Sequence, residues 1–112
     1  MKSFTIAVAL FMLAITTTPV YAAATTGEEI VTMSQAIAIA TVCQLQPVAI
    51  RNATQYLVEY IVANIPAENV DKVAQITSDY VWAEQLRYRN SNLVTPENCR
   101  RFADGWVPLF TN

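Results

Sequence analysis

Residues 94–106 read VTPENCRRFADGW, and the role of Cys99 within them decides the fold. Thr95 is placed as an N-cap whose hydroxyl accepts a free backbone N–H, Pro96 falls at the first helical position, and Glu97 follows in the first turn. A helix therefore starts here. Phe102 and Ala103 lie three and four residues beyond Cys99, so the thiol shares an apolar face with them. Gly105 leaves the far end open: either it caps the helix before an extended WVPLF tail, or the helix runs on to Pro108.

Working back from this stretch, three earlier segments show helical spacing. The first covers about 28–45, opened by Thr25, Thr26 and two glutamates and closed by Pro47. Ile30, Met33, Ile37 and Ala40 form one apolar row on it, and Ala36, Ile39 and Cys43 form an adjoining one. So wide an apolar surface belongs in a bundle interior, and Ser34, Gln35 and Thr41 interrupt it too often for a membrane span. The second helix covers about 48–64, with Ile50, Ala53, Leu57 and Ile61 inward, Arg51, Gln55 and Glu59 outward, and Tyr56 and Tyr60 at its edge. After Pro66, the third covers about 67–89 with Val70, Val73, Ile76, Tyr80 and Ala83 expected inward. Glu68 and Asp71 stand at its start and Arg87 and Arg89 at its end, the order the helix dipole favours.

Four helices with short connections make an all-α, up-down-up-down bundle the expected architecture. In a square version the first and last helices are neighbours, and the end of the first meets the start of the fourth. That brings Cys43 and Cys99 together. The chain has two cysteines, and in an oxidising compartment they are expected to form one disulfide. Closing a loop of that length removes denatured-state entropy worth roughly 4 kcal/mol in the chain-entropy model. For so small a domain, whose net stability is about 5 kcal/mol, such a staple is a large share. Cys99 thus reads as a structural residue, and no C-x-x-C pair points to redox chemistry.

The compartment is read from the N-terminus. MKSFTIAVALFMLAITTTPVYAAATT places Lys2 before an apolar core at 4–15, then Pro19 and small residues around 22–24, the order of a secretory signal peptide. Cleavage is expected after Ala22 or Ala24, giving a signal at 1–22 and one small domain at 23–112 that is periplasmic or secreted. The apolar core is shorter than the roughly 20 residues a bilayer span needs. No cysteine follows the cleavage region, which argues against a lipoprotein.

The chain carries a net charge of −2, and losing Lys2 leaves the remainder at about −3. Weak acidity disfavours a nucleic-acid partner, which requires a basic surface to neutralise phosphates. There is no histidine, and with both thiols committed, catalytic triads and the usual zinc sites have no donors. The pairs Glu28 with Glu29, Glu68 with Asp71 and Asp79 with Glu84 match neither a calcium loop nor a di-iron pattern. The expectation is a non-enzyme with no cofactor or metal, and no membrane contact after signal cleavage. Asn52, Ala53 and Thr54 match the N-glycosylation sequon, but inside a helix Asn52 reads as an ordinary exposed residue.

Two surfaces are candidates for a partner. Arg87, Arg89, Arg100 and Arg101 should gather with Tyr88 at the disulfide pole, where guanidinium groups suit carboxylates and aromatic rings. Glu84, Glu97 and Asp104 lie near enough in sequence to neutralise them internally, and that plainer reading carries more weight. Trp82, off the main inward row and one turn from Leu86, is the other candidate. The expectation is that the WVPLF tail covers one of that pair.

In size, helicity, a single long-loop disulfide and the segment VTPENC at 94–99, the chain resembles the small acid-stress chaperones of the HdeA type. Its first cysteine departs from that pattern by following a long apolar helix instead of opening one. The resemblance implies a periplasmic holdase as one alternative. The leading expectation from the residues is an exported, non-catalytic protein that binds another protein, as an inhibitor, immunity-type factor, adaptor or self-masking homodimer. A small-molecule carrier with a pocket inside the bundle is the remaining alternative.

Overall fold

The structure, a computed structural model, describes residues 25–111; the segment read as a signal peptide lies outside them. Among the described residues the chain is all-helical, without strands: α1 (Thr26–Val42), α2 (Pro47–Asn64), α3 (Val70–Arg89) and α4 (Pro96–Trp106). Short 3₁₀ turns at Ala67–Asn69 and Val107–Leu109 precede α3 and follow α4.

The helix starts follow local chemistry. Thr25 closes a capping box: its hydroxyl accepts from the Glu28 N–H at 3.1 Å, and the Glu28 carboxylate accepts from the Thr25 N–H at 3.2 Å. Thr95 caps α4 by accepting from the Asn98 N–H at 3.1 Å, with Pro96 in the first turn. Gly105 does not end α4, which runs on to Trp106.

The end of α1 differs from expectation. It stops at Val42, short of Pro47, because the chain folds back through Gln44 in the left-handed region at φ 56°. The Leu45 N–H donates to the Ala40 carbonyl at 3.0 Å and the Gln44 N–H to the Thr41 carbonyl at 3.1 Å, the pair of bonds of a Schellman cap. Glycine usually takes that left-handed position, so Gln44 gives no warning of the turn.

α1 is the interior helix. Ala36, Ala38, Ile39 and Ala40 are all fully buried, so its sides face protein in every direction at that level. Its hydroxyls are satisfied by its own backbone: Ser34 donates to the Ile30 carbonyl at 2.6 Å and Thr41 to the Ile37 carbonyl at 2.8 Å. A square bundle would set α1 and α3 across a diagonal. Instead these two form the broadest helix contact among the described residues, α1 with α2 comes next, and α1 also touches α4. The run of alanines on α1 permits this, because small side chains let backbones approach closely.

The face of α3 is a second correction. Thr77, Glu84 and Tyr88 are buried, with Val70, Val73, Tyr80 and Val81 partly so. Ile76, expected inward, is 56% exposed, and Ala83 is exposed as well. A polar row won the core side because Glu84 and Tyr80 find partners there, whereas hydrophobicity alone would rotate the helix the other way.

Cys43 and Cys99 form a disulfide with Cα atoms 5.5 Å apart, tying the end of α1 to the first turn of α4. From there α4 lays an aromatic wedge over the core. Phe102 and Trp106 are buried with ring centroids 5.5 Å apart, and Phe110 follows at 5.0 Å from Trp106. The Trp106 Nε1–H is buried without an acceptor. The tail packs on α2, where Asn52 Nδ2 donates to the Phe110 carbonyl at 2.7 Å and Tyr56 meets the Phe110 ring edge-on at 6.2 Å. It therefore covers neither Trp82 nor Leu86, which are 60% and 45% exposed.

Candidate functional site

α2 and α3 touch less closely than either touches α1, and the gap between them is an open groove of about 270 Å³. Ile37 of α1, with Leu57, Ile61, Thr77 and Val81, lines its apolar floor and lower walls. Thr54 and Val58 form one lip; Ala74, Ser78, Trp82 and Gln85 form the other. None of these lining side chains is ionisable. Val58 is 51% exposed, and Val62, one turn further along α2, is 59% exposed. Trp82 with Leu86 matches that pair on the other helix, so two apolar ridges flank an uncharged slot. Large exposed apolar side chains that cluster instead of scattering mark surfaces where a partner docks.

The arginines expected at one pole have another character. Arg87 is bound to its own helix: its Nε donates to Glu84 Oε2 at 2.6 Å and its Nη2 to Glu84 Oε1 at 3.0 Å, in a bidentate pair. Glu84 Oε1 also accepts from the Tyr80 hydroxyl at 2.9 Å and from Gln35 Nε2 of α1 at 3.3 Å. The Arg87 bond holds the Glu84 carboxyl below its ordinary value, against the opposing effect of burial. The same bond pushes the guanidinium of Arg87 up. Burial, helped by Glu84, raises the Tyr80 phenol, so it stays a hydrogen donor. This network joins α3 to α1 and leaves Glu84 no capacity to spare.

The remaining pole residues divide further. Arg101 pairs with Glu97 one turn back at 3.0 Å, an exposed pair of small energetic weight. Arg89 and Arg100 are exposed. Tyr88 is fully buried, with the Arg87 guanidinium 4.6 Å from its ring centroid, so its ring belongs to the core and not to an outer surface. Of the residues singled out from sequence, Trp82 alone lines the groove. The pairing of Glu84 and Glu97 with arginines is as expected, whereas Val58, Val62 and the bonds from Gln35 and Tyr80 to Glu84 escaped that reading, although the four-residue spacing of Val58 and Val62 was there to be seen.

Asn52 is also more than a surface residue. Its amide nitrogen, the atom a glycan would occupy, holds the C-terminal tail to α2. Among the described residues no cluster of three or more His, Cys, Asp or Glu side chains is placed to hold a metal ion, and no helix is long and apolar enough to cross a membrane.

The chain matches no protein-family model, no curated protein and no solved structure.

Proposed function

We propose that the chain is an exported, non-catalytic helical protein that works by docking another protein on the α2/α3 groove. The disulfide supports an oxidising compartment, periplasmic or extracellular, and the N-terminal segment supports export to it. We also read the four helices as alternating in direction. The connections at 43–46 and 65–69 support this, since the latter reaches at most roughly 17 Å, far short of the roughly 27 Å of α2 that a parallel return would have to traverse.

A single observation carries the binding reading. Val58 and Trp82 stand as exposed apolar lips on an uncharged groove, while Arg87 and Arg101 of the rival polar surface are engaged within the chain. The open form of the groove favours a docked chain over an enclosed small molecule, which buries most of its surface in its site. The test is a pull-down at neutral pH with the oxidised protein as bait, run beside Val58→Glu and Trp82→Glu baits. A stoichiometric partner lost with both variants is the expected result. Capture insensitive to both variants, or aggregation suppressed only at low pH, refutes this reading; the latter result selects the holdase.

A further inference from the structure

The two lips of the groove repeat each other. On α2 the lip residues Thr54 and Val58 continue beyond the groove to Val62, and on α3 Ser78 and Trp82 continue to Leu86. Each is a hydroxyl followed by two exposed apolar residues at four-residue steps, so each forms a ridge inclined across the outer side of its helix. With α2 and α3 antiparallel, a half-turn about the centre of the groove carries one ridge onto the other. The face thus nearly repeats itself under that rotation, with Thr54, Val58, Ser78 and Trp82 around the middle and Val62 and Leu86 toward the two ends.

We propose that the occupant of this face is a second copy of the chain, an inference that rests on reading the groove as a protein-docking surface. Symmetric pairing requires a patch complementary to itself, and a patch that repeats under a half-turn lets both ridges meet equivalent ridges and grooves at once. Charge points the same way. A strongly acidic or basic partner gains nothing from a groove with no ionisable lining, whereas a like copy of a net acidic chain meets no repulsion there. Around the lips, Arg51, Glu59 and Asp79 are exposed and of mixed sign, so a second copy finds opposite as well as like charges at the rim.

Area sets the strength. α2 and α3 are about 27 and 30 Å long and about 10 Å wide, giving a flat footprint of roughly 500–600 Å². A standard stable interface takes about 800 Å² from each partner, so the pairing is weak and reversible, roughly micromolar or weaker.

The experiment is sedimentation equilibrium of the oxidised protein over about a thousandfold range of concentration, with tryptophan emission followed in parallel. The chain has two tryptophans; Trp106 is already buried, so a blue shift on association reports Trp82 being covered. The expected result is a reversible monomer to dimer transition with that shift. Val58→Glu and Trp82→Glu should each weaken it at least tenfold, while Ile76→Glu, at an exposed α3 site outside the groove, leaves it unchanged. Glutamate at these exposed sites should leave the helical circular dichroism unaltered. A monomer at every concentration, or a dimer that Ile76→Glu weakens as much as Val58→Glu does, overturns the proposal. If the monomeric protein still captures a different partner through Val58 and Trp82, the second copy is refuted and the docking face stands; if nothing docks there, both fall.

Discussion

Trp106 and Trp82 represent two regions that the same side-chain chemistry treats in opposite ways. Trp106 is fully buried between Phe102 and Phe110, under a tail anchored to α2, whereas Trp82 stands 60% exposed on the lip of the groove. Both lie on helices with an apolar side. The difference is whether anything follows in the chain to cover that side. After α4, Val107–Leu109 turns back and Phe110 closes over the cluster; on the outer side of α2 and α3 no described segment does this. One region is finished by the fold, and the other is left for an intermolecular contact.

The strongest test of that contrast is to truncate the closed region. Trp106→Ala should cost about 4 kcal/mol in urea denaturation, from lost burial plus the cavity left behind. Trp106→Phe should cost clearly less, because it keeps a ring in the cluster while removing the indole N–H that is buried without an acceptor. Next in size is the staple at the same pole. Replacing both Cys43 and Cys99 with alanine should lower stability by about 3 kcal/mol, below the chain-entropy value because real bridges tend to give less. Should either change leave the urea midpoint unmoved, the closed region is not where the stability resides.

Glu84→Ala comes third. It leaves Arg87, Tyr80 and Gln35 without their shared acceptor, and because the Arg87 side chain is half-exposed the loss should be about 2 kcal/mol, below that of a fully buried pair. The pH dependence has a definite sign. The Glu84 carboxyl sits below its ordinary value of 4.5 in the folded chain, so its stabilisation is present above 4.5 and is lost as pH falls through the lower folded value. Urea midpoints measured down through that window should fall more steeply for the native protein than for Glu84→Gln. Parallel curves would show that the network carries no linkage.

The smallest expected effect is the most informative about function. Trp82→Ala should change stability by no more than about 0.5 kcal/mol, since an exposed side chain has little to lose on truncation. A thermal melt within a degree or two of the native protein supports an unfinished surface. A loss comparable to that of Trp106→Ala would erase the distinction between the two regions.

Much of this architecture is visible in the order of residues. Apolar spacing places all four helices, Thr25 and Thr95 mark two of their starts, and the positions of Cys43 and Cys99 foreshadow the bridge that joins them. These features are legible because they depend on neighbours within a few residues, or on two thiols with no other partner. The burial of Thr77, Glu84 and Tyr88 in place of Ile76 and Ala83 is not legible in that way. Periodicity counts apolar side chains, and it cannot see that Gln35, distant in sequence, will complete a polar network that brings a carboxylate inside. The end of α1 is hidden for a similar reason, since Gln44 adopts the backbone shape usually reserved for glycine.

By itself, then, the sequence determined an all-helical chain with a cysteine at each of two helix ends, because capping, helical period and thiol count are local or countable properties. The inward rows of α1 and α2 could be read from their residues as well, whereas tertiary structure alone decided the core side of α3 and which outer surfaces stay uncovered. It sent the aromatic tail to α2 through Asn52 and left Val58, Val62, Trp82 and Leu86 uncovered. The physical reason is that burial is settled by competition among all the faces for a limited interior, and a helix such as α3, with two faces of similar apolar content, does not carry the result in its own residues.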